Sequence, residues 1–153
     1  MVEEKDGISK EIEHLLEERA VLRLLHEYAH AMDYGDEAGW VDAFTPDAVF
    51  DVVEVVGGRR VHRESGRGDL ADYIRGYPKP PDFRKHVVVD PLIDIEGDSA
   101  RVEAYWLLLQ RGNADGRPLI AAFGHYRDRL VKVDGRWRIA ERFAEVEAST
   151  ATS

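Results

Sequence analysis

Asp33 is a carboxylate near the end of an amphipathic helix, where helix stability does not explain it. The surrounding sequence is YAHAMDYGDEAGW, from Tyr28 to Trp40. A helix carries partial negative charge at its carboxyl end, so a carboxylate is mildly unfavourable there, and Gly35 just beyond it is typical of a helix terminator. Either Asp33 is solvated or caps the next segment, or its charge is used in proton chemistry.

Three further polar residues lie on segments that are otherwise apolar. Tyr28 lies five positions before Asp33, His86 opens the first long strand, and Arg142 belongs to the last strand, RWRIAERF. Burying such groups costs free energy unless they are paired or used. A carboxylate beside an imidazole makes a suitable base, because it fixes the imidazole tautomer and stabilises the imidazolium. Taken singly, His86 is equally compatible with a hydrogen-bonded strand residue, and Arg142 with a solvated edge.

Other motifs exclude several kinds of chemistry. His26, His30 and Asp33 share one helix face, which would suit a metal, but such triads are common on solvated faces and we expect no metal site. His62 and His14 lie among charged residues and are expected at the surface. The chain has no cysteine, no Gly-rich phosphate loop, no G-x-S-x-G and no H-E-x-x-H motif, so we expect no cofactor.

The composition indicates one globular domain that acts on a small molecule. The chain has 153 residues, of which 44% are hydrophobic and 33% charged. A net charge of -9 argues against binding to nucleic acid or to an anionic membrane. The acidic amino terminus lacks an apolar signal segment, and no apolar run reaches the roughly 18 residues of a membrane helix, so we expect a cytoplasmic protein.

Hydrophobic periodicity predicts helices first and strands last. Apolar residues at helical spacing predict a helix from about Ser9 to Tyr34, with Leu15 and Leu16 on its core-facing side, and DEAGWVDAF predicts a short helix. AVFDVVEVVGGRRVHRE predicts a hairpin, and a third helix is expected around Asp69 to Tyr77. The predicted domain spans residues 9–147, with loose termini at 1–8 and 148–153.

The second half of the chain predicts a long antiparallel meander. Its strands are separated by EGDS, GNADGRP and VDGR. A long twisted sheet curls, so we expect a cone-shaped pocket between sheet and helices. In the strand FGHYRDRL, alternation turns either His125 or Tyr126 inward, and we favour Tyr126 together with Asp128. Gly124 in the same strand would permit a bend or the close approach of a ligand.

Three segments together resemble the SnoaL-like branch of the nuclear transport factor 2-like superfamily. They are LLHEYAHAMDYGDEAGWVDAFTPDAVFDV, RKHVVVDPLIDIEGDSARVEAYWLLL and GHYRDRLVKVDGRWRIAER, and the resemblance covers about residues 17–145. It implies an α+β fold, a cone-shaped α+β barrel with N-terminal helices packed in a curved, mostly antiparallel sheet. It also implies a homo-oligomer, either a dimer or a trimer.

Within this branch the sequence is most similar to cofactor-independent elimination enzymes, including scytalone dehydratase, bile-acid dehydratase and lindane dehydrochlorinase. Their catalytic aspartate and histidine match Asp33 and His86, and a tyrosine and an arginine of the bile-acid enzyme match Tyr28 and Arg142. The second histidine of scytalone dehydratase matches His125 only if that residue faces inward. The chloride pocket of the lindane enzyme is not recognisable here.

The resemblance therefore implies a dehydratase-like lyase acting on a small apolar substrate, cyclic or polyketide- or steroid-like. The residues expected to contact that substrate are Trp106, Phe123, His125 and Tyr126. Because the superfamily hosts several chemistries, two alternatives stay open. One is a noncatalytic ligand-binding or dimerisation module, in which Asp33 and His86 form only a buried structural pair. The other is an isomerase or cyclase that works by proton transfer.

Overall fold

The computed structural model describes residues 2–112 and 116–150, with side chains from Gly7 onward. The elements are α1 (Val2–Tyr34), α2 (Glu37–Asp42), β1 (Phe44–Glu54), β2 (Arg60–Ser65), α3 (Gly66–Gly76), β3 (Arg84–Glu96), β4 (Ser99–Arg111), β5 (Pro118–Val133) and β6 (Arg136–Ser149). Helices and strands follow the predicted order. The second predicted inter-strand segment, GNADGRP, lies partly outside the described residues.

The six strands form one curved, unclosed sheet in the order β2-β1-β6-β5-β4-β3. Neighbouring strands are antiparallel except β1 and β6, which run parallel. The three helices pack against this sheet, and the predicted α+β cone is confirmed. Strands of 13 to 16 residues, β3 to β6, are long enough for the right-handed twist to curl the sheet around the helices.

Helix α1 begins at Val2, earlier than the predicted start at Ser9. Residues 2–8, VEEKDGI, include several good helix formers but no apolar stripe, so the hydrophobic pattern could not predict them. The carboxyl-terminal half packs on the sheet and buries Val21 and Leu25 completely. The prediction that Leu15 and Leu16 face the core is wrong, because these side chains are 57% and 58% exposed.

An aromatic cluster fills the interior between the helices and β1. Trp40 of α2 lies 4.7 Å from the ring of Phe44 and 5.7 Å from that of Tyr28. Helix α2 is capped by Asp36, whose side chain accepts the backbone N–H of Gly39 at 2.9 Å. This cap sets the direction of a six-residue helix, so that Trp40 points into the core with no exposed surface.

Gly124 lies where the backbone of β6 comes close to β5. A Cβ atom at this position would be 1.8 Å from the carbonyl oxygen of Glu145 and 3.1 Å from the Trp106 ring. The register between β5 and β6 shifts between Phe123 and Gly124, which marks a bulge. The bulge is consistent with the expected bend in the strand at Gly124.

Among the described residues, no helix combines the length and the apolar character needed to cross a membrane.

Candidate active site

Asp33 and His86 form a buried pair that joins the end of α1 to the start of β3. Oδ1 of Asp33 lies 2.7 Å from Nδ1 of His86, as the sequence predicted. The backbone N–H of His86 also donates to Asp33, at 3.0 Å to Oδ2 and 3.2 Å to Oδ1. The side chains of His86 and Asp33 are only 8% and 5% exposed. These hydrogen bonds compensate a carboxylate at the negative end of the helix.

The pair determines which nitrogen of His86 is free. An ionised carboxylate only accepts hydrogen bonds, so the proton of the neutral imidazole lies on Nδ1 and points at Asp33. The lone pair of Nε2 then faces away from Asp33. Here Nε2 lies 3.3 Å from the hydroxyl of Tyr77. Because Nε2 has no proton to give, Tyr77 is the donor in this contact.

Tyr77 was not among the residues singled out from the sequence. It is the C-cap of α3 and opens the segment YPKPPDF, which has no periodicity that could have revealed its direction. Its ring packs 5.8 Å from that of His86, and the guanidinium of Arg84 lies 5.8 Å from its centroid. Burial raises the pKa of Tyr77 to about 12, although Arg84 acts in the opposite direction. Tyr77 therefore stays a neutral hydroxyl donor at neutral pH.

Arg142 lies on the inner face of β6, in a completely buried ion pair with Asp128 of β5. Its Nε and Nη2 donate to the two carboxylate oxygens at 2.9 and 2.6 Å, and neither side chain is exposed. Burial alone would lower the pKa of Arg142, but the charge and hydrogen bonds of Asp128 raise it above the ordinary value. Arg142 is thus a permanent cation, and most of its charge is balanced by Asp128.

The arginine is also stacked between two tyrosine rings. Its Cζ lies 4.2 Å from the ring centroid of Tyr28 and 4.1 Å from that of Tyr126. Within the described residues, Nη1 of Arg142 and the hydroxyl of Tyr28 are buried without a hydrogen-bond partner. Burial raises the pKa of Tyr28 while Arg142 opposes the rise, so the hydroxyl keeps its proton. In the same described part of the chain, the indole N–H of Trp40, whose ring packs against Tyr28, is buried and unpaired as well, so several donors without a partner lie in this part of the interior.

Of the four predicted substrate contacts, two lie on the inner face of the sheet. Tyr126 and Trp106 are 4% and 7% exposed, and their rings stack with centroids 5.7 Å apart. The indole N–H of Trp106 donates to the carbonyl of Glu145 at 3.1 Å, which fixes its orientation. Tyr126 and Asp128 face inward, which was the favoured alternative.

The other two predicted contacts, His125 and Phe123, require correction. His125 pairs across the sheet with Tyr105 and lies near the outer carboxylates of Glu103 and Glu145, at 3.8 and 3.5 Å. Phe123 is 44% exposed and lies opposite Leu107, on the same outer face. Strand alternation places both side chains away from His86.

The expected surface position of His62 is also wrong. Its side chain is 23% exposed and packs against Tyr73 and Phe50, with ring centroids 4.6 and 5.2 Å apart. Burial lowers its pKa, so it is neutral at pH 7. Alternation along β2 turns His62 toward α3, between the exposed neighbours Val61 and Arg63.

The helix face that carries His26, His30 and Asp33, for which no metal site was expected, is partly exposed and partly buried. His26 and His30 are exposed, whereas Asp33 is buried and bonded to His86. No group of three or more histidine, aspartate or glutamate side chains is arranged to hold a metal in the part of the chain that the structure describes.

Two surface cavities lie away from His86. One of about 540 Å³ is lined by residues of β1, β2, β4, β5 and β6, which include Arg63, Arg101 and Arg127 and also Asp128 and Arg142. The other, of about 610 Å³, lies between α2 and α3 and is lined in part by Val41 and Ile74.

Solved structures support the fold. A candidate scytalone dehydratase from Novosphingobium aromaticivorans is 22% identical, with a TM-score of 0.73 over 92% of this chain and 90% of that chain. The beta subunit of a candidate aromatic-ring-hydroxylating dioxygenase from the same organism is 23% identical, with a TM-score of 0.78 over 91% and 94% of the two chains. A protein from Catenulispora acidiphila in complex with S-DNPA is 28% identical, with a TM-score of 0.70 over 86% and 94%.

The family is shown by the sequence itself. No curated protein matches this chain. The family model described as a SnoaL-like domain, however, matches residues 13–143, which include every residue of the buried site described above. The chain therefore belongs to the SnoaL-like domain family.

Proposed function

We propose that this protein is a cofactor-independent lyase of the dehydratase type, in which His86 is the base. The observation that carries the proposal is the 2.7 Å contact between Nδ1 of His86 and Asp33, which leaves Nε2 as the basic nitrogen. A base oriented in this way contributes roughly 10²- to 10⁴-fold to a rate. Asp33 contributes by holding the reactive tautomer and by stabilising the imidazolium once a proton has been taken.

The proposed reaction removes water from a β-hydroxy carbonyl compound. Nε2 of His86 takes the proton from the carbon beside the carbonyl, and the electron pair of that C–H bond forms the new double bond as the C–O bond breaks. The departing hydroxide receives a proton and leaves as water. That proton comes from the Tyr77 hydroxyl, and the proton on Nε2 of His86 then passes to the Tyr77 oxygen 3.3 Å away, so the site returns to its starting state without an added oxidant or reductant.

Tyr28 and Arg142 are assigned to the oxygen on which negative charge develops. Both carry a buried donor without a protein partner among the described residues, and donors placed in advance stabilise a developing oxyanion. Since two of the arginine nitrogens are held by Asp128, only Nη1 is available for this purpose.

Tyr77 is assigned a second task beside His86. Its hydroxyl already donates to Nε2, so a substrate that brings a C–H bond to this nitrogen must displace it. The freed hydroxyl then lies close to the reacting carbon and can donate to the leaving oxygen. With its pKa raised to about 12, it remains protonated and suited to donation.

The substrate is proposed to be small, apolar and ring-bearing. Tyr77 packs beside His86, Tyr73 packs on Tyr77 and Trp40 packs on Tyr73, and aromatic surroundings of this kind favour flat apolar molecules. The 28% identical Catenulispora protein, solved with S-DNPA, is one relative of this fold with a bound molecule. The likeness to the candidate scytalone dehydratase is at 22% identity and supports the fold alone.

A defined probe tests the proposal. Racemic 3-hydroxy-1-tetralone is a ring-bearing β-hydroxy ketone, and its dehydration gives a naphthol with a distinct absorbance. We expect the wild-type protein to accelerate formation of the naphthol, and His86→Ala to lose almost all of this acceleration while keeping the melting temperature. His125→Ala, a change of the same type on the outer face, is the matched control and should retain the rate. Equal rates for wild type and His86→Ala would contradict the proposal.

A noncatalytic module is the second candidate, and one observation favours it. The backbone N–H of His86 donates to both oxygens of Asp33, so this carboxylate ties α1 to β3 whatever the imidazole does. The same fold also occurs in the beta subunit of the candidate dioxygenase. Proton transfer without elimination, as in an isomerase or cyclase, is distinguished by deuterium uptake from solvent without loss of water.

We also propose that the protein is a homo-oligomer. The outer face of the sheet exposes Tyr105, Ile120 and Phe123, which are 59%, 52% and 44% accessible. Light scattering after gel filtration tests this, and a monomer over the micromolar range would contradict it.

A further inference from the structure

A row of four rings crosses the interior from β2 to β3. Ring centroids lie 4.6 Å apart between His62 and Tyr73, 5.9 Å apart between Tyr73 and Tyr77, and 5.8 Å apart between Tyr77 and His86. The two tyrosines lie on one face of α3 and its C-cap, because residues four apart are neighbours on a helix. The row begins and ends with an imidazole.

The two imidazoles have similar neighbours. His86 has Asp33 at 2.7 Å, and His62 has Glu64 at 3.7 Å, with both His62 and Glu64 23% exposed. The separation of 3.7 Å is too long for a hydrogen bond, so Glu64 does not satisfy Nδ1 of His62. That atom is buried, and among the described residues it has no hydrogen-bond partner.

The surroundings keep His62 uncharged. Burial lowers its pKa, while the charge of Asp51 acts in the opposite direction. Burial raises the pKa of Glu64, with further contributions from Asp69 and Asp72 on α3. A neutral imidazole offers one donor and one acceptor, and Nδ1 of His62 is a nitrogen that is buried without a partner among the described residues.

A packing role does not require a histidine at this position. The ring lies against Phe50 and Tyr73, where a phenylalanine would bury more apolar surface and leave no nitrogen unsatisfied. Nδ1 of His62 is therefore a polar group in an apolar row that no protein contact in the described chain explains.

We propose that His62 is a second polar contact of the same site, which binds an oxygen of the substrate at the end of the tyrosine row opposite His86. The proposal rests on the proposed function for the role of His86 and extends it to the substrate class. The substrate is an elongated, flat, ring-bearing molecule with an oxygen at each end. Tyr73 and Tyr77 contact its rings, and the buried Nδ1 of His62 is the atom that hydrogen-bonds its far oxygen.

Two matched probes test the substrate class without an activity assay. Para,para′-biphenol has a hydroxyl at each end of two linked rings, and para-phenylphenol lacks one of them. We expect wild-type protein to bind the biphenol about fivefold more tightly, the ratio of dissociation constants that one net hydrogen bond provides. The histidine ring C–H signals of His62 and His86 should both shift as the biphenol is added.

The decisive variant is His62→Phe, which keeps a ring against Tyr73 and removes both nitrogens. It should fold with a melting temperature at least as high as that of the wild type, because the unsatisfied nitrogen is gone, and it should bind the two probes equally. His125→Phe, on the outer face, is the matched control and should keep the fivefold preference.

The possible results separate the role proposed for His62 from the role proposed for His86. If His62→Phe keeps the preference, or if neither probe shifts the His62 signal, the inference is overturned, while the proposed role of His86 depends on its own assay. If the probes shift the His62 signal but leave the His86 signal unaffected, a ligand binds beside His62 alone. The claim that His62 and His86 belong to one substrate site is then wrong.

Discussion

Asp33 holds His86 at two points, through the imidazole Nδ1 at 2.7 Å and through the backbone N–H at 3.0 Å. The first contact orders the tautomer of the ring, and the second fixes the backbone from which the ring extends. These two contacts explain why a carboxylate is buried at the end of α1, although the negative end of the helix disfavours negative charge. Because Asp33 contacts both the ring and the backbone of His86, substitutions of Asp33 and of His86 are expected to have different effects.

Asp33→Asn should preserve the fold and abolish most of the activity. The amide oxygen can still accept the backbone N–H of His86, but the amide N–H₂ then faces Nδ1 and moves the imidazole proton to Nε2. In the serine-protease triad, the corresponding change lowers kcat about 10⁴-fold for this reason. The assay is dehydration of 3-hydroxy-1-tetralone, with thermal unfolding as the check on folding. An Asp33→Asn variant as active as wild type would remove the proposed tautomer role.

Tyr77→Phe should lower kcat more than it changes KM. The variant keeps the ring beside His86 and loses only the hydroxyl 3.3 Å from Nε2. Loss of a general-acid donor costs roughly 10²- to 10⁴-fold in rate. Tyr105→Phe, at a tyrosine exposed on the outer face, is the control and should behave as wild type. A faster Tyr77→Phe enzyme would show that the hydroxyl only blocks the base.

Alkaline pH should destabilise the protein through its buried tyrosines. Burial raises the pKa of Tyr28, Tyr73, Tyr77 and Tyr126. Because the folded state holds these protons more tightly than the unfolded state, their contribution to the free energy of unfolding is complete below about pH 10, the pKa of tyrosine in the unfolded chain. It is lost as the pH rises above that value. The tyrosinate absorbance at pH 11 should therefore fall short of that of all the tyrosines, and the remainder should appear with unfolding. Full ionisation without unfolding would contradict the burial of these hydroxyls.

Asp128→Ala should cost far more stability than Glu141→Ala. The first leaves Arg142 as an unpaired buried cation, which costs about 3–5 kcal/mol in the free energy of unfolding. The second removes the partner of Arg129 in a pair with both side chains at least half exposed, worth about 0–1 kcal/mol. Urea unfolding measures both.

The double variant Asp128→Leu with Arg142→Met provides the check on this explanation. It removes both charges and should recover much of the loss, because a buried pair can be replaced by apolar residues of similar size. If Asp128→Ala and Glu141→Ala unfold at the same urea concentration, leaving Arg142 unpaired carries no large cost and this explanation is wrong.

Much of the fold was predictable because its elements follow simple periodicities. The 3.6-residue pattern found the packed half of α1, and the turn sequences separated the strands. Strand alternation correctly favoured Tyr126 and Asp128 as inward residues. The pattern failed at Leu15 and Leu16, because an apolar stripe shows that a helix is amphipathic but not where the sheet beneath it ends.

The candidate site was less predictable than the fold. Asp33 drew attention because it is unfavourable at a helix end, but its contact with His86 depends on residues 53 positions apart. Tyr77 was not predicted as a site residue because it lies in a proline-rich segment without a repeating pattern. Phe123 and His125 were misplaced because residue type indicated a ligand contact, whereas the bulge at Gly124 and the strand alternation turn both side chains outward. His62 was predicted to lie at the surface because its neighbours in the sequence are charged.

A long-range proton–nitrogen correlation spectrum of the His86 ring tests most directly that Asp33 holds this residue as a base. At a pH where the imidazole is neutral, we predict a proton on Nδ1 and an unprotonated Nε2 in the wild-type protein, and the opposite tautomer in Asp33→Asn. A wild-type His86 with its proton on Nε2 would contradict the account, because no basic nitrogen would then face the substrate.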